Sequence, residues 1–310
     1  MNLSSNAGAL IAAIMAGLAV ACAPPPAGTM QGATSPAATD PHPRKAWVAA
    51  CQDGDAWDKP GPPFRIHGNS YYVGTCGIAA ILITGSQGHV LIDTGTEAGA
   101  RIVAANISSL GFRPEDVKLL LHSHEHYDHV GGMAIMQGIT GARLLASFPA
   151  APVLSSGEAG AGDPQAGLHA PMAPARVDGS VRDGEPVRLG DVVLTPVATP
   201  GHTPGALTWA WTSCEGRDCR AIVFADSLNP ISRDDYRFSD HPDLVAAFRA
   251  GLERLAGLDC AILITPHPGS SAMRDRLKSP EGLAGPPHCR DYAGTVRARL
   301  DARLAKEAGQ

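Results

Sequence analysis

The chain of 310 residues predicts an α/β fold in four layers, an αβ/βα sandwich. Two halves each offer short apolar strands followed by an amphipathic helix, the pattern of a sheet covered on its outer side. The first half also contains a strand–helix–strand unit whose second strand runs straight into a cluster of histidines. The second half carries two further histidines in rigid Pro/Gly settings, and the two similar halves imply a site at the edge between the sheets.

At 44% hydrophobic residues the chain is long enough for one large globular domain or two small ones. A net charge of −5 without any Lys/Arg run argues against nucleic acid or an anionic membrane surface as a partner. Residues 7–21 form an Ala-rich apolar run ending Ala19-Val20-Ala21-Cys22. The run is short for a bilayer span, and small residues at its end suit signal cleavage. Residues 1–9 depart from the signal pattern by carrying no Lys or Arg. The expectation is an export signal over 1–22, a disordered Pro/Ala-rich tail over 23–45 and a single domain over 46–310. Cys22 stands where a lipoprotein carries its lipid, although Ala19 is an unusual residue three places earlier; cleavage without lipid stays open.

The remaining six cysteines, Cys51, Cys76, Cys214, Cys219, Cys260 and Cys289, fit an oxidising compartment. Their connectivity is open from sequence alone, although the short Cys214 to Cys219 spacing invites a hairpin bridge. None has C-x-x-C spacing, which argues against a structural zinc on cysteine.

Residues 64–67, 71–75, 78–84 and 89–93 read as short strands turning at Gly68-Asn69 and Ser86-Gln87-Gly88. Ile102, Val103, Ile107 and Leu110 give 97–110 a helical spacing that Gly111 stops. A buried strand at Leu119-Leu120-Leu121 completes the strand–helix–strand unit. A helix at 133–137, a strand at 143–146 and a short helix at 149–155 follow. Residues 156–176 show no periodic element, and a loop of that length is usually functional or disordered. Strands are expected at 187–189, 192–197, 206–212 and 220–225. Leu244, Phe248, Leu252 and Leu255 line one face of a helix over 242–257. A buried strand at 260–264 comes next. Tyr292, Val296, Leu300 and Leu304 then mark a closing helix.

The stretch from Leu119 to Gly132 organises the rest. His124, His126, Asp128 and His129 are four metal-competent side chains within six residues, and they cannot all reach one ion. Alternate residues His124 and His126 can point one way while Asp128 and His129 point another, which implies two adjacent metal sites. The pattern His-x-His-x-Asp-His fits only from His124, so His122 is expected to be structural.

This segment, Leu121-His122-Ser123-His124-Glu125-His126-Tyr127-Asp128-His129, resembles the signature of the metallo-β-lactamase superfamily. Its wording is similar to the di-zinc, cysteine-free third subclass of class B β-lactamases, and the resemblance runs from about Cys51 to the C-terminus. It implies the metallo-β-lactamase fold and two Zn²⁺ per chain, although spacing alone admits iron or manganese. It assigns His124, His126 and His202 to the first zinc, and Asp128, His129 and His267 to the second. His202 lies in Thr199-Pro200-Gly201-His202-Thr203-Pro204-Gly205, and His267 between Pro266 and Pro268. Asp93 is expected behind the metal loop, bracing it; it could also cap the helix that starts near Glu97. At Asp226-Ser227 the resemblance places a serine where other subclasses have a metal-binding cysteine, leaving Asp226 behind the ligands or, alternatively, bridging the metals. Ser227, Asn229 and Gln165 are implied as substrate contacts. The implied disulfides are Cys51–Cys76, Cys214–Cys219 and Cys260–Cys289, the last worth roughly 3–4 kcal/mol.

The implied activity is hydrolysis of the β-lactam ring of penicillins, cephalosporins and carbapenems. A water shared by two zincs is hydroxide at neutral pH, and the site retains a charge of about +2 that suits an anionic substrate. Asp128 would orient the nucleophile besides binding metal. No Ser-x-x-Lys nucleophile is present. The expected setting is a periplasmic monomer, or an outer-membrane lipoprotein if Cys22 is acylated, that confers antibiotic resistance. The competing expectations are another exported hydrolase of the superfamily, a lactonase or thioester hydrolase, and a non-catalytic zinc-binding lipoprotein.

Overall fold

The computed structural model describes residues 43–309. The expected signal 1–22, Cys22 and the greater part of the 23–45 tail lie outside the described residues. Helix α1 (Pro43–Ala50) begins before the expected domain edge at residue 46. It is anchored by Trp47, which is fully buried and meets Phe64 and Tyr72 edge-on, at centroid distances of 6.3 and 5.8 Å.

Strands β1 (Phe64–His67), β2 (Ser70–Tyr72), β3 (Ile81–Gly85) and β4 (Gly88–Ile92) form an antiparallel meander. Helix α2 (Glu97–Ser109) then crosses to β5 (Val117–Leu121), which pairs parallel to β4. After α3 (Tyr127–Val130) and α4 (Met133–Thr140), β6 (Arg143–Ser147), α5 (Ala150–Ser156) and β7 (Val177–Val181) extend the sheet in parallel. The seven strands lie in chain order. The second sheet is built from β8 (Val187–Leu189), β9 (Val192–Ala198), β10 (Leu207–Glu215) and β11 (Asp218–Phe224), all antiparallel. Helix α6 (Pro242–Ala256) leads to β12 (Ile262–Ile264), parallel to β11, and α7 (Met273–Lys278) and α8 (Cys289–Ala308) follow.

Alternation along the strands creates the layers. Ile81, Ile83, Val90, Ile92, Leu119 and Leu121 share one core with Leu194, Trp209, Ile222, Phe224 and Ile262 of the other sheet. Leu82, Leu91 and Leu120, between them in sequence, pack instead with Val103, Met133 and Leu154 of α2, α4 and α5. Val223 and Leu263 pack with Phe248, Leu252, Tyr292 and Val296 of α6 and α8. The order is therefore helix, sheet, sheet, helix, as expected, and each fully buried aliphatic chain contributes about 1.5–3 kcal/mol.

The expected strands 71–75 and 78–84 are shortened to β2 and β3. Residues between them leave the ladder, yet Val73 N–H donates to the Ala80 carbonyl and Thr75 N–H to the Ile78 carbonyl. The Asn106 amide on α2 binds the Val73 and Gly74 carbonyls from the other side, each at 3.0 Å. Strand β7 is absent from the sequence expectation because Asp178 and Gly179 break its apolar pattern. Pairing creates it, with Leu144 N–H donating to the Asp178 carboxylate at 3.0 Å. Three disulfides are formed, Cys51–Cys76, Cys214–Cys219 and Cys260–Cys289, the last joining the approach to β12 to the first residue of α8.

Near its far end, α8 straps the segment that precedes α6. Glu307 accepts from the N–H groups of Phe238 and Ser239 at 3.1 and 2.8 Å and from Arg303 at 2.5 Å. Burial raises its pKa, but the bonds from Ser239, Arg303 and Phe238 outweigh burial and bring it down from 4.5 to about 2. A depressed carboxylate pKa stabilises the fold in full above its unfolded value and loses that contribution as pH falls through the folded one. Stability measured by denaturant unfolding should therefore fall between pH 4.5 and about 2. Glu307→Gln should flatten part of that fall and cost about 1–3 kcal/mol near neutrality.

Candidate metal centre

The two sheets meet along an edge where loops leave the carboxyl ends of β4, β5, β11 and β12. Asp93, just after β4, adopts a left-handed backbone with φ 61°. Its carboxylate accepts Ser123 N–H at 2.7 Å and Ser123 Oγ–H at 2.6 Å, and lies 3.5 Å from His129 Nδ1. It does not cap α2; that role falls to Thr96, whose side chain accepts Gly99 N–H at 3.0 Å.

The ligand atoms of His124, His126 and His202 lie within 4.8 Å of one another, and all three side chains are buried. Each imidazole has a polar group at its back. His124 Nδ1 sits 2.9 Å from Asp226 Oδ1 and 3.2 Å from Ser123 Oγ. His126 Nε2 sits 3.0 and 3.2 Å from the two oxygens of Asp163. His202 Nδ1 sits 2.8 Å from the Asn229 carbonyl oxygen, which only an N–H can satisfy. The opposite nitrogens are left for a shared ligand, and His124 Nε2 is buried without a hydrogen-bond partner among the described residues. Burial and the neighbouring imidazoles hold His124 and His202 well below the usual histidine range, in the neutral form that ligates metal.

A second triad adjoins the first. Asp128 Oδ2 lies 3.0 Å from His129 Nε2 and 3.3 Å from His267 Nε2, and these two nitrogens are 3.3 Å apart. Donors about 2.0–2.1 Å from a tetrahedral zinc stand roughly 3.4 Å from one another, so the triad fits such an ion. Burial raises the Asp128 pKa, but His129 and His267 outweigh it and hold the carboxyl well below its ordinary range. Burial lowers His129, yet Asp128 and Asp93 overcome it and bring it to about 10. The triads touch, since His124, Asp128 and His129 also bring ligand atoms within 4.8 Å and the rings of His124 and His129 are 4.1 Å apart. His267 is 34% exposed while the other five side chains are nearly or wholly buried, so the centre opens to solvent on the His267 side.

The model of the metallo-β-lactamase superfamily matches residues 73–267. The chain belongs to that superfamily. Its fold is similar to that of the MIM-2 metallo-β-lactamase, with 58% identity and a TM-score of 0.83 over 86% of this chain and 98% of that one. MIM-1 from Novosphingobium pentaromativorans is 47% identical, with a TM-score of 0.82 over 86% and 98%. MEM-A1, a subclass B3 metallo-β-lactamase from a soil metagenome library, is 41% identical, with a TM-score of 0.77 over 82% and 99%. A hydroxyacylglutathione hydrolase of Methylococcus capsulatus is 26% identical over 194 residues, 60% of this chain and 65% of that protein. The chain thus spans under two thirds of that hydrolase but nearly all of these metallo-β-lactamase structures.

Within this superfamily site, His122 belongs to neither triad. Its Nε2 accepts the Ser147 N–H at 3.0 Å, its carbonyl accepts the Trp209 indole N–H at 2.8 Å, and burial pulls its pKa down to about 4. Asp226 stands on the Nδ1 side of His124, behind the ring, and not between the triads. The Gln165 amide is 3.5 Å from His202 Nε2, the nitrogen that faces the centre. Ser227 keeps a buried hydroxyl with no partner among the described residues. Asn229 departs from a plain substrate contact: its carbonyl holds His202 and its side-chain oxygen accepts from Arg299 at 3.0 Å.

Two functional residues escaped the sequence reasoning. Asp163 lies in the aperiodic 156–176 loop, where an aspartate before proline looks like any turn former. The loop is docked by Arg233, whose N–H donates to the Pro164 carbonyl and whose guanidinium donates to that of Asp163. Glu125 sat in plain view between two ligands. Its carboxylate accepts Thr203 Oγ–H at 2.7 Å and Gly205 N–H at 2.8 Å, and so ties the His202 loop to the metal loop. Burial pushes its pKa up to about 7 against those bonds. Gly205 must be glycine, because a Cβ there would fall 2.7 Å from the Ala150 backbone nitrogen and 2.8 Å from Glu125 Oε1.

Asp163→Ala should weaken metal binding by about 10-fold or more, read by competition with a chromophoric chelator, while circular dichroism reports an unchanged fold.

Proposed function

We propose that this chain is a monomeric periplasmic hydrolase with two Zn²⁺ that opens the β-lactam ring of penicillins, cephalosporins and carbapenems and so confers antibiotic resistance. The observation that carries the proposal is the pair of abutting triads, open to solvent at His267. The likeness to MIM-2 over 86% of the chain supports it. His124, His126 and His202 would hold one ion, and Asp128, His129 and His267 the other. When bound, the ions supply Lewis acidity and an activated water.

Asp128 is the one carboxylate among the six donors, so the site favours an anionic substrate. Its lone pairs accept a hydrogen bond from the attacking water and aim it at the carbonyl carbon. Asp163 and the Asn229 carbonyl would keep the His126 and His202 imidazoles in one tautomer and orientation throughout, and Ser123 Oγ would do so for His124, with Asp226 standing beside it. The Gln165 amide, 3.5 Å from His202 Nε2, would contact substrate; the same role falls to the Ser227 hydroxyl by resemblance, whereas Asn229 would have to exchange Arg299 for it.

Zinc-loaded protein should hydrolyse a carbapenem and a chromogenic cephalosporin, and EDTA should abolish both activities. Inactivity on every β-lactam, together with turnover of a thioester or a homoserine lactone, would decide for another hydrolase of the superfamily. Loss of His267 tests the second site directly. His267→Ala should lower zinc stoichiometry from two to one per chain; a value that stays at two refutes the assignment.

A further inference from the structure

We infer that Tyr292 on α8 is a positioning residue for the first imidazole triad, acting through the backbone of the Asp226-Ser227-Leu228-Asn229 loop. The inference rests on the metal-centre assignment and not on the identity of the substrate.

Both ends of this loop stand behind the first triad: the Asn229 carbonyl accepts from His202 Nδ1–H at 2.8 Å, and the Asp226 carboxylate lies 2.9 Å from His124 Nδ1. The loop between them is not at ease. Leu228 is fully buried with φ 49°, a left-handed conformation that a branched L-residue avoids at a cost of about 1–2 kcal/mol. Such a residue persists only where its surroundings over-determine it. Leu228 N–H donates to Asp226 Oδ2 at 3.2 Å, and Asp226 N–H donates to Thr208 Oγ1 at 3.2 Å. The main external hold is Tyr292. Its hydroxyl donates to the Ser227 carbonyl at 2.6 Å and stands 3.3 Å from the Asp226 carbonyl. Two turns further along α8, Arg299 donates to the Asn229 side chain at 3.0 Å. The helix thus grips the loop at both ends, and the Cys260–Cys289 disulfide fixes the helix at its first residue.

Tyr292 touches neither imidazole. Without its hydroxyl, the Ser227 carbonyl stays buried and unpaired, and the strained loop is free to relax away from both rings. The second triad lies on α3 and just after β12, and among the described residues its side chains make no hydrogen bond to this loop.

The test is Tyr292→Phe, which keeps the ring and deletes the bond. Stepwise zinc affinities are measured by chelator competition, and the ligand-field spectrum of the cobalt(II)-substituted protein is recorded. The expected result is a first-site affinity lowered about 3- to 10-fold, with a shifted cobalt band and an unchanged second site. Arg299→Ala, on the exposed surface and safe for folding, should lower first-site affinity about 2-fold, again without touching the second. Val296→Ala, on the same buried face of α8, should lower the melting temperature and leave the ratio of the two affinities as in wild type. The inference is overturned if both loop variants bind both metals like wild type, or if both sites weaken together in step with stability, as a merely structural role would have it. Wild-type protein that binds two metals but opens no β-lactam would sink the proposed function and leave this inference standing.

Discussion

A wholly buried carboxylate, that of Asp93, is the constraint on which the centre depends. An ion in the interior is costly unless its lone pairs are filled, and here both oxygens are taken by Ser123, one by its N–H and one by its hydroxyl. The result is a rigid tie between the end of β4 and the loop that leaves β5. Four of the six donors lie on that loop and the short helix after it, so one polar contact sets the position of most of the site. The left-handed backbone at Asp93 is what turns the side chain under the loop.

The remaining donors come from the second half of the chain. His267 follows β12 directly, and the Asp226 loop follows β11, so both obey the rule that functional loops gather at the carboxyl ends of parallel strands. His202 lies instead between antiparallel strands β9 and β10 and needs more help to arrive. Gly201 supplies part of it, since a Cβ there would fall within 2.3 Å of the Phe248 ring. Glu125 supplies the rest from across the interface. The sandwich therefore does more than bury apolar surface: it brings two independent sets of loops to a common edge.

Much of this was legible in the sequence. The His124 to His129 cluster named its own chemistry, and alternation of Ile, Leu and Val was enough to assign most strands and their layers. The histidines His202 and His267 needed the family resemblance, because Pro/Gly-bracketed histidines are not diagnostic on their own. What stayed hidden were groups whose role is fixed only by distant partners. Asp163, Glu125 and Tyr292 are ordinary residues until the chain folds. Strand β7 was hidden for the same reason, as its residues Val177 to Val181 carry little intrinsic preference and extend only because β6 lies alongside.

The β10–β11 hairpin closes at its tip with Cys214 bonded to Cys219, which face each other in the ladder. That bond prohibits slippage between the two strands, since any other alignment would pull the sulfurs apart. At the opposite end of the same hairpin, β10 emerges from the His202 loop and β11 runs into Asp226. A displacement by one residue would move these segments past one another by about 3.4 Å and turn every side chain over. A covalent latch at the remote tip thus works as a vernier for catalysis, keeping in step two segments that never meet along the sequence.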